Sequence, residues 1–507
     1  MRTTIAATAI LILTLPHLQG AEPAPGDGAG RWPASKAWAW YESRPWPVGC
    51  NFLPSTAVND VEMWQKDTFD PATIDRELGW AEDLGFNSVR VFVNFVVWKD
   101  DAAGLKDRFG RFLALADRHG ISTMPILFDD CFKPEPRAGK QDDPVPGVHN
   151  SQWVCSPGEK RVKDAGSWGD LESYVKGMVG AFGADRRVIL WDLYNEPVHS
   201  IALVESTFRW AREAKASQPL TTCLFGGAGM PERIAAQSDI ISFHNYDGLA
   251  SLKGTVERLR SHGRPIICTE WMARTAGSRF PTHLPFFKEG KIGCWSWGLV
   301  AGRIQTYYPW GSPEGAPEPA TWFHDILRKD GSPFSAREAR AIRIITGRLK
   351  GSIPESREIV ATARKAAVEW RYTMVKPAEG WFRPGFDDGS WSLGPAPFGS
   401  EEPAIDRHPR TPWKGSDIWL RRAFEMPAGA FDDLWLLLHH DEDTEVYIDG
   451  ILAAKAGGYN AAYEPFDLES AARAALTPGR HVMAVHCHQT TGGQYIDVGI
   501  EGTVVAP

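Results

Sequence analysis

A chain of 507 residues is too long for one ordinary core, so two domains, or one large domain with an addition, are expected. With 43% hydrophobic and 23% charged residues it has a globular composition, and a formal charge of −8 leaves no basic footprint for nucleic acid. The 22 tryptophans say more, because many fall in loops, where flat aromatic faces suit stacking on sugar C–H faces as well as filling a core.

At the amino end Arg2 precedes the apolar run Ile5–Leu15, which is too short to span a bilayer. It reads as a secretory signal over residues 1–20, cut near Gly20–Ala21, in preference to a retained anchor. The expected location is therefore secreted or periplasmic, with no membrane partner after cleavage; no feature fixes an oligomeric state. Export permits disulfides, but seven cysteines make an odd set. Cys131 and Cys155 could staple one long loop; buried small hydrophobes are the alternative. Residues 21–40, rich in Ala, Gly and Pro, are expected to be a flexible lead-in.

A regular alternation follows. Val48–Leu53 is a short apolar run ending in polar residues. Asp70–Pro71 opens a helix with Ile74, Leu78 and Ala81 on one face, and Gly85 stops it. Further strand candidates are Ser88–Val93, Thr123–Phe128, Val188–Pro197, Thr221–Phe225, Ile240–His244, Ile266–Glu270 and Gly293–Trp297. Helical sequence follows each, except where a loop is elaborated, as over residues 129–166. Eight βα units in roughly 250 residues predict a (β/α)₈ TIM barrel over residues 41–354. No glycine-rich loop follows the first strand, which counts against nucleotide binding. The segment 335–347 predicts a helix that closes the barrel or acts as a spacer. Beyond about residue 355, short strand-like runs separated by Asp449–Gly450 and Pro478–Gly479 predict an all-β sandwich over 355–507.

The key stretch is VILWDLYNEP, Val188–Pro197: apolar along its length, then polar at Asn195–Glu196. The segment PIICTE also ends in a carboxylate, Glu270. Active sites of such barrels lie at the carboxyl ends of the strands. The candidates there are Arg90, Asp129 and Asp130, Asn195 and Glu196, His244 and Tyr246, Glu270, and Trp295 and Trp297. Strands four and seven face each other across the barrel, so their glutamates can flank an anomeric carbon, as glycoside hydrolysis requires.

Trp191–Pro197 (WDLYNEP), Phe243–Tyr246 (FHNY), Thr269–Trp271 (TEW) and Trp295–Leu299 (WSWGL) resemble clan A of the retaining glycoside hydrolases, nearest the cellulase and mannanase group, family 5. The resemblance implies that Glu196 is the general acid/base and Glu270 the nucleophile. It implies that Asn195 bonds the sugar 2-hydroxyl, that Arg90 and Tyr246 keep the nucleophile ionised, and that His244 stands near the acid/base. Trp297 would be the platform under the sugar, with Trp295 the other candidate. An apolar setting is expected to raise the pKa of Glu196. The family's histidine at the end of strand three is replaced by Phe128–Cys131, leaving Asp129 or Asp130 as a candidate sugar ligand. The loops carrying His149, Asn150, Trp153, Gln305, Tyr307, Tyr308 and Trp310 could wall a cleft.

Segments such as Asp417–Arg422 and Glu445–Gly450 resemble the jelly-roll, galactose-binding-like domain of β-galactosidases and β-glucuronidases, which implies a sugar-binding or buttressing role. The expected activity is hydrolysis of β-linked polysaccharides or oligosaccharides by double displacement, with carbohydrate as the partner and neither metal nor cofactor. The alternatives are an exo-acting β-mannosidase or β-galactosidase, and a non-catalytic carbohydrate-binding protein on a barrel.

Overall fold

The computed structural model describes residues 30–504 other than 320, 353–355, 402–407, 430, 461 and 491. The expected signal segment and the expected boundary at residues 354–355 both lie outside the described residues. No helix among the described residues is long and apolar enough to cross a membrane.

Eight parallel strands form the first sheet: β1 (Val48–Asn51), β2 (Ser88–Phe92), β3 (Ser122–Asp129), β4 (Trp191–Asn195), β5 (Leu220–Thr221), β6 (Ile241–Asn245), β7 (Ile266–Trp271) and β8 (Gly293–Trp297). Their order is β5-β4-β3-β2-β1-β8-β7-β6, and a parallel bridge between Cys223 and Ser242 joins the two ends into a barrel. The strands are buried almost throughout, because helices cover the outer face and side chains fill the inside; hence their near-continuous apolar sequences. Each expected strand is present, although β5 ends at Thr221, short of the expected Thr221–Phe225. β4 is shorter than the apolar run suggests, since Val188 makes only an isolated bridge to Thr123.

Helix ends follow local chemistry. The Asp70 side chain accepts the Thr73 amide to open Pro71–Asp83, whose Ile74, Leu78 and Ala81 are buried. Ser335 caps Ala336–Thr346 by accepting the Glu338 amide, and Gly347 ends it at φ 88°.

Two readings change. Residues 34–40, expected in the lead-in, belong to a helix, Ala34–Glu42. Its Tyr41 hydroxyl donates to the Lys291 carbonyl and accepts the Gly293 amide, so the helix plugs the lower barrel. Trp295 joins that lower core with Tyr41, Met124, Ile189, Leu190, Ile240 and Ile267; it is fully buried and its indole donates to Ser88. Trp295 and Trp297 share a strand face, but two residues is one layer of depth, and only Trp297 reaches the mouth.

The C-terminal region is two packed sheets, antiparallel except for the short pair Phe398–Gly399 and Thr411–Pro412. One centres on Asp417–Met426 and Gly479–His488, the other on Phe431–Asp441 and Tyr495–Val504. Leu434, Leu436 and Leu438 enter the sandwich core. The alternate Trp435 and Leu437 face the barrel, where Arg337 lies 4.2 Å over the Trp435 ring. Arg279 and Glu464 pair across the same junction at 2.9 Å.

Buried carboxyls set a pH dependence of stability. Burial raises Asp60 to about 8 and Glu77 and Asp325 to about 7. Folded values above the unfolded ones stabilise at low pH, and that contribution is lost as pH rises through the folded values. Below about pH 6.5 the buried neutral His149, His283 and His324 act in the opposite sense. The denaturant midpoint should therefore fall between about pH 6.5 and 8.5. Asp60→Asn should flatten that fall, and a midpoint that is flat or rising in wild type would refute the assignment.

Candidate active site

Strand register brings the site residues to one level: Asn51 is opposite both Arg90 and Trp297, Asp129 opposite Asn195, and His244 opposite Glu270. Register shifts in β6–β7 and β7–β8 fall at this same level, where bulges re-aim side chains at the rim.

Arg90 is the buried centre. Its Nε and Nη2 donate to Asp192 at 2.9 and 2.7 Å, its Nη1 to Asn51 and Glu270, both at 2.7 Å, and its Nη2 also to Asn195 at 2.7 Å. These bonds use all five guanidinium N–H groups. Burial works against its charge, but Asp192 and Glu270 outweigh that and raise its pKa. The second Glu270 oxygen accepts from the Tyr246 hydroxyl at 2.7 Å. Glu270 is thus held by the Arg90 guanidinium and the Tyr246 hydroxyl, with His244 Nδ1 3.5 Å from its second oxygen.

Glu196 sits just past the end of β4 at φ 41°, left-handed backbone that a non-glycine residue holds only where its surroundings fix it. They do. Its amide donates to Cys223 Sγ at 3.1 Å, and Pro197 follows. Asp130 accepts the Val198 and His199 amides as well as the Tyr194 hydroxyl. The Glu196 carboxylate meets His244 Nδ1 at 2.7 Å and the Cys131 thiol at 3.2 Å.

Burial pushes Glu196 up, as expected, but the His244 hydrogen bond and charge, with Cys131 and Arg90, bring it below the ordinary carboxylate value. The expectation of a raised pKa is corrected. His244 moves the other way: burial opposes its charge, but Glu270, Cys223 and Glu196 hold it well above the usual histidine value. In the free site the pair's proton therefore resides on His244.

One oxygen of Glu196, one of Glu270 and a His244 ring nitrogen all lie within 4.8 Å of one another. Among the described residues this is the one group with spacing fit for a metal ion. Its donors suit one poorly, because all four oxygens of Glu196 and Glu270 already accept hydrogen bonds, two of them from a guanidinium and an imidazole.

A cavity of about 250 Å³ opens above the pair. Asn195, Glu196, Tyr246, Glu270 and Trp297 line it, as do Trp153, His149 and Asn150 from the loop after β3 and Trp310 from the loop after β8. Trp297 stands edge-on to Phe92 and Trp153. Asn195, expected to reach a sugar 2-hydroxyl, accepts from Arg90, donates to Asp129 at 2.9 Å and meets Cys131 Sγ at 3.5 Å.

The assignment of Asp129 to sugar binding is corrected. Asp129 is 1% exposed, and its oxygens are taken by Asn195, the Cys131 amide and the Trp153 indole. It positions Asn195 and Trp153, and burial raises it to about 7. His244, one of the strand-end candidates, bonds Glu196 and does not line the cavity. The Cys131–Cys155 staple is absent, because all seven cysteines are free and the Cys131 sulfur turns to Glu196. Sequence reasoning missed Cys131, Phe132 and His324 in the lining. Cys131 lies two residues past the end of β3, a signal that was available. His324 lies deep in the long segment after β8, and nothing local marks it.

Neither a family model nor a curated protein matches the chain. The solved structures it resembles include mannosidases and mannanases of glycoside hydrolase family 5. A GH5_18 protein from Streptomyces cattleya, solved with GlcNAc, is 13% identical at a TM-score of 0.42, over 61% of this chain and 82% of that one. An exo-β-1,4-mannosidase from Opitutaceae bacterium strain TAV5 is 16% identical at a TM-score of 0.42, over 60% and 59%. A hyperthermostable endo-1,4-β-D-mannanase from Thermotoga petrophila RKU-1 is 13% identical at a TM-score of 0.40, over 60% and 99%. At such scores the likeness carries no chemistry across, which rests on the side chains above.

Proposed function

We propose that the protein is a retaining β-glycosidase that removes single sugars from the ends of oligosaccharides or polysaccharides. The observation that carries this reading is the 4.8 Å limit on the distance between a Glu196 oxygen and a Glu270 oxygen. Retention requires carboxyls about 5–5.5 Å apart, whereas inversion needs about 6.5–9.5 Å to admit a water.

A Glu270 oxygen attacks the anomeric carbon as the bond to the leaving oxygen breaks, and the electron pair goes to that oxygen. The proton it takes comes from Glu196, resupplied by His244 across 2.7 Å. Water then attacks the glycosyl ester, returns its proton to the Glu196–His244 pair and frees Glu270. A carbohydrate-binding role alone would leave Arg90, Tyr246 and His244 converging on two carboxylates without purpose.

Exo action is favoured by the walls. The cavity is smaller than the about 300–1,000 Å³ of drug-sized sites, and Phe132, His149, Trp310 and His324 line it on the side of the long loops. The test is product analysis on a panel of β-linked polysaccharides and their oligosaccharides. Release of monosaccharide alone from the first time points is expected. Early release of mixed longer oligosaccharides would refute exo action, and no release from any substrate would refute the hydrolase reading.

A further inference from the structure

Two histidines outside the reacting pair share the cavity wall. His149 and His324 are 6% and 1% exposed, and their rings lie 5.4 Å apart at 66°. Each is tied at one nitrogen: His149 Nδ1 to the Tyr308 carbonyl at 2.7 Å, His324 Nδ1 to the Met272 carbonyl at 2.5 Å. A carbonyl only accepts, so each Nδ1 must carry the proton. Burial lowers both pKa values, His149 to about 4, so both rings are neutral at pH 7. A neutral imidazole protonated at Nδ1 has a bare lone pair at Nε2. Neither Nε2 meets a hydrogen-bond partner among the described residues, and both rings line the cavity. Asn150 in the same wall adds a side-chain oxygen without a partner among those residues. Among the described residues no lysine or arginine lines the cavity, which already contains two carboxylates.

We propose that His149 and His324 determine specificity as hydrogen-bond acceptors, each taking an O–H from the sugar held against Trp297, so that the site selects an uncharged sugar whose hydroxyls on that edge are free. This rests on the reading of the cavity as a sugar site. An acceptor-only wall pairs with hydroxyl donors. A uronate carboxylate or a sulfate ester has no proton to offer at neutral pH, and would leave lone pair facing lone pair beside Glu196 and Glu270. Discrimination by unpaired buried polar groups is stronger than discrimination by shape.

The test is nitrogen NMR on the full chain labelled with [¹⁵N]histidine, the two signals being assigned by their loss in His149→Phe and His324→Phe. In the free protein both histidines should show protonated Nδ1 and bare Nε2. Titration with the methyl β-D-glycosides of glucose, galactose, mannose and xylose should shift both Nε2 signals upfield with at least one of them, and methyl β-D-glucuronide should not. Each phenylalanine variant should bind that neutral glycoside about 10–100-fold more weakly. A protonated Nε2 in the free protein, no response to any neutral glycoside, or an equal response to the glucuronide would overturn the proposal. None of these readouts needs turnover, so failure of the hydrolase reading would show separately, as sugar binding without cleavage.

Discussion

Glu270→Ala should lower kcat by about 10⁴-fold or more, equivalent to about 5.5 kcal/mol of barrier, with the fold unchanged by circular dichroism. The nucleophile is the one group whose loss removes the covalent route itself. Because alanine leaves a gap beside the anomeric carbon, added azide should restore cleavage of an activated aryl glycoside and give the glycosyl azide of inverted configuration. Glu196→Ala should behave differently. It should slow poor leaving groups by about 10²–10⁴-fold and activated aryl glycosides much less at the first step, since a good leaving group needs no proton. Azide should then give a product of retained configuration, by reacting with the glycosyl ester on Glu270. Swapped azide products would reverse the two roles, and a Glu270→Ala variant as active as wild type would remove the mechanism.

Arg90→Met should cost about 3–5 kcal/mol of stability, because it strands Asp192 and Glu270 as buried carboxylates without their cation. Asp192 is fully buried and burial already raises its pKa against the pull of Arg90, so it will take up a proton when Arg90 is lost. The stability of the variant should therefore recover as pH falls from neutral toward about 5, opposite to an ordinary acid denaturation. Adding Asp192→Asn should restore part of the loss at neutral pH, a non-additivity that marks contact. Activity should stay low in both, since Glu270 still lacks its cation. Chemical denaturation at two pH values checks all of this, and an Arg90→Met protein as stable as wild type would refute the central role given to the guanidinium.

The barrel was legible because a parallel strand buried on both faces is an apolar run that ends in polarity, and eight such runs recurred. The clustering of the candidate site residues was legible for the same reason. Arg90, Asn195, Glu196, His244, Tyr246 and Glu270 stand at or just beyond strand ends, and register alone brings them together. Depth was not legible: a two-residue period cannot tell Trp297 at the rim from Trp295 one layer below. Nor was the work of Asp129 and Asp130, because a carboxylate offered to a sugar and one saturated by an indole and by amides look alike in sequence. The direction of the Glu196 shift turned on a 2.7 Å contact with His244 from another strand, while burial alone pointed the other way. The cavity wall came least from sequence, since His149, Trp310 and His324 lie in long loops that tertiary packing places.

What holds the account together is the short gap between two carboxylates, and its consequence can be read directly in the product. Time-resolved proton NMR of the first turnovers on a cleaved β-glycoside should show the β-anomer of the released sugar first, with the α-anomer growing only at the rate of mutarotation. The α-anomer appearing first would mean a single displacement by water, for which the two carboxyls stand about 6.5–9.5 Å apart, and would contradict the account.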